Sequence, residues 1–116
     1  MDFPKRGRKD FEKQMLKHMF STFLLWYISK HKTYGYELMK KLEGEEGFRI
    51  TGPGQLYPLL KEMTRNGLIS QRRELQGRRA RKMYSITVDG KDALREAKRC
   101  MRENPLKRQF LLEMVG

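Results

Sequence analysis

The sequence predicts a mainly α-helical fold with one small antiparallel β-ribbon. Three observations carry that expectation. Apolar residues recur at helical spacing in successive segments, Gly and Pro mark the joints between them, and two short extended runs bracket an arginine-rich tip. With 116 residues there is room for one domain around one core.

Taken in order, residues 1–9 hold Pro4, Gly7 and the cations Lys5, Arg6, Arg8 and Lys9. With almost nothing to bury, they read as a disordered basic arm. Over residues 10–30 a first helix is marked by Phe11, Met15, Leu16, Met19, Phe20, Phe23, Leu24, Tyr27 and Ile28, while Leu25 and Trp26 add apolar bulk outside that stripe. A helix apolar over more than one face needs more cover than a small domain supplies, and a second subunit is the natural source. His31-Lys32-Thr33 is a short connection to a second helix that starts at Tyr34 or Gly35 and ends at Leu42. Residues 43–54 contain four glycines and a proline and read as loop. No Gly-Lys-Ser/Thr follows them and no strand precedes them, so they are not a phosphate cradle. A third helix begins at Pro53 or Gly54, lines up Leu56, Leu59, Leu60 and Met63, and stops at Asn66-Gly67.

Residues 68–75 and 82–86 read as strands around a polar tip at 76–81. Thr87 is suited to cap a fourth helix reaching about Glu103, with Ala93, Leu94, Ala97, Cys100 and Met101 inward. Asn104-Pro105 breaks it, and residues 106–115 add a last helical turn or two, apolar at Leu106, Phe110, Leu111, Met114 and Val115. The expected organisation is therefore an arm (1–9), a DNA-binding unit (10–86) and a C-terminal helical dimerisation segment (87–116). The order α-α-α-β-β-α is that of a winged helix-turn-helix, dimerising through its first and last helices and offering the third helix to the major groove.

Charge points the same way. Lys and Arg number 26 against 14 Asp and Glu, a net charge of +12 that attracts polyanions. Residues 61–82 hold eight cations against Glu62 and Glu74, so a surplus of +6, half of the whole excess, falls in 22 residues. No run of eighteen apolar residues is present to span a bilayer, and the basic N-terminus lacks the apolar core of a secretory signal. The polar face of the first helix is not densely basic, which disfavours a membrane-surface role. A single cysteine, Cys100, excludes an intrachain disulfide framework and suits the reducing cytoplasm; it reads as a small buried hydrophobe. No acid–base or nucleophile set is recognisable, so the chain does not read as an enzyme. His18 and His31 stand apart from any ligand-spaced partner, and neither a metal nor a cofactor is expected.

Three segments carry a resemblance. Tyr34-Gly-Tyr-Glu-Leu-Met-Lys-Lys-Leu42, Pro53-Gly-Gln-Leu-Tyr-Pro-Leu-Leu-Lys61 with the following Asn66-Gly-Leu-Ile69, and Arg79-Ala-Arg-Lys-Met-Tyr-Ser-Ile-Thr-Val-Asp-Gly90 resemble the PadR family of transcriptional regulators. The likeness covers about residues 16–100, and its short tail resembles the branch ending in one dimerising helical segment. It implies a homodimeric, DNA-binding repressor that releases DNA on binding a small effector. Where many relatives carry Ser-Pro-Gly-Thr-Leu-Tyr, this chain has Gly52-Pro-Gly-Gln-Leu-Tyr57, so two small hydroxyls at a helix start are missing and Gln55 is the available donor.

The residues expected to touch double-stranded DNA are Gln55, Tyr57, Lys61 and Arg65 on the third helix, and Arg72, Arg78, Arg79, Arg81 and Lys82 on the ribbon. Gln55 is the best candidate for reading a base edge, by pairing with adenine. Tyr57 taken alone suits a core aromatic, and its place at the start of the recognition helix reverses that preference. The dimer interface is expected at Phe20, Phe23, Leu24, Tyr27, Phe110 and Leu111. Trp26 has two readings, packing in the dimer core or lining an effector pocket between subunits, and packing is favoured. A winged helix serving as an adaptor for RNA or protein is the alternative, because fold does not dictate partner.

Overall fold

The computed structural model describes residues 5–43 and 53–116. Within them the order is α1 (Lys5–Lys30), β1 (Thr33–Tyr34), α2 (Gly35–Glu43), α3 (Pro53–Arg65), β2 (Ile69–Gln76), β3 (Arg79–Ile86), α4 (Val88–Glu103) and α5 (Pro105–Val115). The fold is mainly helical with one small antiparallel sheet, as expected. The glycine-rich loop lies mostly outside the described residues, as does the start of the arm. From Lys5 onward that arm is helix rather than disordered chain. Lys and Arg are good helix formers, and they extend a helix already nucleated by the packed turns beyond them; Gly7 costs only about 1 kcal/mol.

Apolar spacing builds the core. Phe20, Leu24 and Ile28 of α1 repeat every four residues, and α3 buries Leu56, Leu59, Leu60 and Met63 in an i, i+3, i+4, i+7 row. Leu38, Met39 and Leu42 of α2, Ile69 of β2, Tyr84 of β3 and Leu94 of α4 close the same cluster. Phe20 and Leu24, expected at the dimer interface, are therefore inside their own chain, with 3% and 0% of their surface exposed. Their spacing signalled a need for cover, and β3 and α4, with the rest of the cluster, supply it.

In the sheet, β3 is central, with β1 on one side and β2 on the other, all antiparallel. The connection expected at His31-Lys32-Thr33 thus contains the start of a strand, in which Thr33 pairs with Tyr84 and Tyr34 with Met83. The ribbon is also longer than expected: Gln76 pairs with Arg79, which leaves only Gly77 and Arg78 as the turn. Gly77 has φ +66°, and among the described residues no other residue type takes a positive φ, so this is a hairpin turn with glycine at its first position, matching the twist of the strands.

The helix ends are well satisfied. At the end of α3, Gly67 takes φ +77°, its N–H donates to the Thr64 carbonyl and the Leu68 N–H donates to the Met63 carbonyl, closing the helix as a Schellman motif. Pro58 lacks the N–H that would reach Gly54, so α3 forgoes one bond near its start. Thr87 caps α4 as expected, its Oγ1 accepting from Gly90 N–H at 3.0 Å and donating to the Gly67 carbonyl at 2.6 Å. Asn104 ends α4 and caps α5, accepting from the N–H groups of Leu106 and Lys107. Of the α4 residues expected inward, Leu94 is buried and Ala97 partly so, whereas Ala93, Cys100 and Met101 are exposed. Only the first half of α4 meets the body of the chain, so residues further along keep an inward spacing with nothing beneath them.

Candidate nucleic-acid interface

The buried row of α3 leaves a continuous outer face. Gly54, Pro58, Lys61 and Arg65, at i, i+4, i+7 and i+11, run down its centre, all exposed. Gln55 and Tyr57 are exposed on opposite flanks. The Gln55 flank continues to Glu62, which pairs with Lys17 of α1 at 3.4 Å. The Tyr57 flank meets α2, where a Cβ on Gly35 would lie 3.3 Å from the rings of both Tyr57 and Tyr84. Glycine at the start of α2 lets these two rings approach, and Tyr57 is half packed while still reaching the surface. Burial, with a smaller contribution from the neighbouring Tyr57, pushes the Tyr84 phenol above its ordinary value.

The ribbon divides its cations between two faces. In the pairing register, Arg72, Glu74, Gln76, Arg79, Arg81 and Met83 share one face, and Arg73, Leu75, Ala80, Lys82 and Tyr84 share the other. Arg78 lies in the turn. The basic tip inferred from sequence is therefore not a single patch: Lys82 stands with Arg73, which the sequence reading left out, on the side opposite Arg79 and Arg81. Arg72, Arg78, Arg79 and Lys82 are exposed, while Arg81 is half-buried, its guanidinium carbon 4.6 Å from the centre of the Tyr36 ring.

Two further interactions lie beside that contact, one between β1 and β2 and one within α2. The Tyr34 hydroxyl donates to Glu74 Oε2 at 3.3 Å. Desolvation, followed by the Glu74 carboxylate, raises the Tyr34 phenol pKa. The Lys40 ammonium lies 4.7 Å from the centre of the Tyr36 ring, and Tyr36 is 47% exposed. Lys40 first, with Arg81 and Arg79 adding to it, holds that phenol below its ordinary value. Tyr36 and Lys40 were not singled out from sequence. Their i, i+4 spacing on α2 was the available signal, but only the fold brings Arg81 to the same ring.

Charge pairing separates this surface from the rest of the chain. On α4, Arg95 pairs with Asp92, and Arg99 pairs with Glu96 and Glu103. Among the described residues no such ion pair engages Lys61, Arg65 or the cations of β2, β3 and their turn. Two of the five cations of α4 are thus paired within the helix, whereas those of α3 and the ribbon carry no ion pair and leave a positive surface. No group of His, Cys, Asp and Glu suited to hold a metal ion occurs among the described residues. No helix among them is long and apolar enough to cross a membrane.

The remaining expected residues lie away from this face. Phe23 and Tyr27 are half-buried on α1 with rings 6.1 Å apart, and Trp26, 43% exposed, lies 5.9 Å from Phe23. Phe110 is exposed and Leu111 half-buried on α5. Phe11, Met15 and Met19 of α1, expected inward, are exposed in an i, i+4, i+8 row.

Comparison with known proteins adds three findings. Residues 24–96 match the family model described as the transcriptional regulator PadR-like family. The chain is 35% identical over 81 residues to transcriptional regulator Rv3488 of Mycobacterium tuberculosis, covering 69% of this chain and 73% of that one. It is 33% identical over 75 residues to the negative transcriptional regulator PadR of Bacillus subtilis, across 63% of this chain but only 41% of that longer protein. Among solved structures, a PadR-like transcriptional regulator from Bacillus cereus is 35% identical with a TM-score of 0.69, over 85% of this chain and 96% of that one. A PadR family transcription regulator from Clostridium difficile is 26% identical with a TM-score of 0.65, over 83% and 97%.

Proposed function

Because the chain belongs to the PadR-like family of transcriptional regulators, we propose that it acts in the cytoplasm as a homodimeric repressor of a pseudo-palindromic operator. Each subunit lays the outer face of α3 in the major groove, with Lys61 and Arg65 at its centre and Gln55 and Tyr57 at its flanks. The ribbon is the wing, and Arg72, Arg78, Arg79, Arg81 and Lys82 meet backbone or minor groove. The observation that carries this reading is the concentration of positive charge on α3 and the ribbon with no ion pair to offset it, beside an α4 in which Arg95 and Arg99 are paired with acids of the same helix.

The dimer rests on the apolar surface that one chain leaves uncovered: Phe110 with Leu106, Leu112 and Val115 on α5, and Trp26 with the Phe11–Met15–Met19 row on α1. Phe23, Tyr27 and Leu111 extend it at its buried edge. Two-fold symmetry then sets half-sites about one turn, ~10 bp, apart. An effector that releases DNA is expected between subunits, where Trp26 supplies an exposed aromatic face.

Selection from a random duplex pool, followed by fluorescence anisotropy, tests the reading. The selected site should bind at least ~10³-fold more tightly than random duplex. With roughly six to ten phosphates neutralised per dimer, log K against log salt should slope near −5 to −9. Gln55→Ala should relax preference at one position per half-site. Removing Arg78 and Arg79 together should flatten the slope by about three to four units and leave sequence preference intact. Equal affinity for every duplex sequence would mean that α3 does not read bases, and the proposal would fail.

A further inference from the structure

We propose that Tyr36 and Lys40 of α2, together with Arg79 and Arg81 of β3, form a seat for one backbone phosphate of the bound duplex. The inference rests on the DNA-binding reading and adds to it a contact that neither α3 nor the wing makes alone. Lys40 and Arg81 approach one aromatic ring from two elements, at 4.7 and 4.6 Å from its centre. Arg79 stands two residues before Arg81 on the same face of β3 and is near enough to act on the Tyr36 phenol. Three positive charges and one hydroxyl therefore converge at a half-exposed position.

Like charges brought together raise the energy of the free chain, and an anion among them lowers it. Ring contacts with Tyr36 hold Lys40 and Arg81 in place before an anion arrives, which spares the ordering cost that free side chains would meet on binding. The nearby acids offset only part of it. Glu74 lies across from Arg81 in the ribbon and Glu37 follows Tyr36 on α2, but three cations outnumber them and among the described residues no ion pair engages Lys40, Arg79 or Arg81. The low phenol pKa of Tyr36 records the same excess of positive potential.

Position selects a phosphate of the duplex as the anion. Gly35, the residue before Tyr36, touches Tyr57 of α3, while Arg79 and Arg81 lie on the wing. The seat is thus between the element offered to the major groove and the element offered to the adjacent minor groove. The strand of backbone that separates those two grooves has to pass between them. A tetrahedral phosphate there can accept from the Tyr36 hydroxyl, the Lys40 ammonium and the guanidinium groups at once.

The test uses the full chain and a 24-bp duplex of mixed sequence, with affinity measured across a salt series. Lys40→Ala should weaken binding several-fold and flatten the log K against log salt slope by about 0.9 for each bound subunit. Tyr36→Leu, which removes both ring and hydroxyl, should lower affinity further, whereas Tyr36→Phe should keep the slope and lose only part of the affinity. Lys98→Ala, an exposed cation of α4, serves as the charge-matched control and should leave the slope unchanged. Circular dichroism melts of each variant exclude loss of folding as the cause. A wild-type chain with no salt-dependent affinity for the duplex would overturn the functional reading and this seat with it. Salt-dependent wild-type binding with a Lys40→Ala slope equal to that of wild type would overturn the seat alone.

Discussion

α3 and α5 are each about three turns long and each carries at least four large apolar residues, yet those residues have opposite fates. In α3, Leu56 and Leu60 are fully buried and Leu59 and Met63 nearly so. In α5, Leu106, Phe110, Leu112, Met114 and Val115 are all exposed, and no residue of the helix is buried. α3, the helix proposed to read DNA, is held in place by its own chain. The C-terminal helix is kept in register with the chain by the Asn104 cap and otherwise presents surface. The difference separates what the fold needs from what assembly needs, and mutations should divide along the same line.

The largest effect is expected on the buried side of that division. Leu60→Ala removes a fully buried side chain from the centre of the core and should cost about 2–5 kcal/mol in chemical denaturation. A loss no larger than that of a surface site would mean that α3 is not anchored as described. Next comes Gly90→Ala, whose Cβ would fall 2.0 Å from the Leu68 carbonyl oxygen and 2.8 Å from Ile86. Relieving that overlap should cost about 1–3 kcal/mol, visible as a lowered melting temperature without loss of helix signal at 20 °C. Thr87→Ala deletes the α4 cap and should cost about 1 kcal/mol. The smallest effect on the folded subunit is expected from Phe110→Asp on α5, within about 0.5 kcal/mol for the dissociated chain. Its effect on assembly should be large, moving sedimentation at micromolar concentration from dimer to a 13.9 kDa monomer. If Phe110→Asp unfolds the chain instead, α5 belongs with α3 and the comparison collapses.

Much of the fold was legible because helical spacing is a direct consequence of burial. The α3 row, its glycine stop and the Thr87 cap were all visible as residue types at fixed offsets. What spacing does not reveal is the identity of the covering surface. Phe20 and Leu24 called for cover and found it within the chain, while Met15 and Met19 called for it equally and stay exposed. The two residues of β1 are too few to show alternation, so the third strand stayed hidden. In the interface, the cations of α3 and the ribbon could be counted from sequence, but their distribution over two faces depends on register. Lys40 and Tyr36 could not be joined to Arg81 without the fold, since 40 residues of chain lie between Lys40 and Arg81.

Thr87 occupies the joint between the sheet and α4, and that joint is held by several hydrogen bonds. Its N–H donates to the Leu68 carbonyl, its hydroxyl bridges the Gly67 carbonyl and the Gly90 N–H, and Gly90 lies directly against Leu68. A hinge at this point would have to break three hydrogen bonds at once, so α4 works as a fixed strut projecting from the wing. In a two-fold assembly built on such struts, the distance between the two reading helices behaves as a manufactured gauge length. A signal that changes that length while leaving the Thr87 joint intact has to act elsewhere, in how two such subunits meet. An allosteric ligand would therefore change how the struts are clamped together, leaving each strut and its reading head to move as one rigid piece.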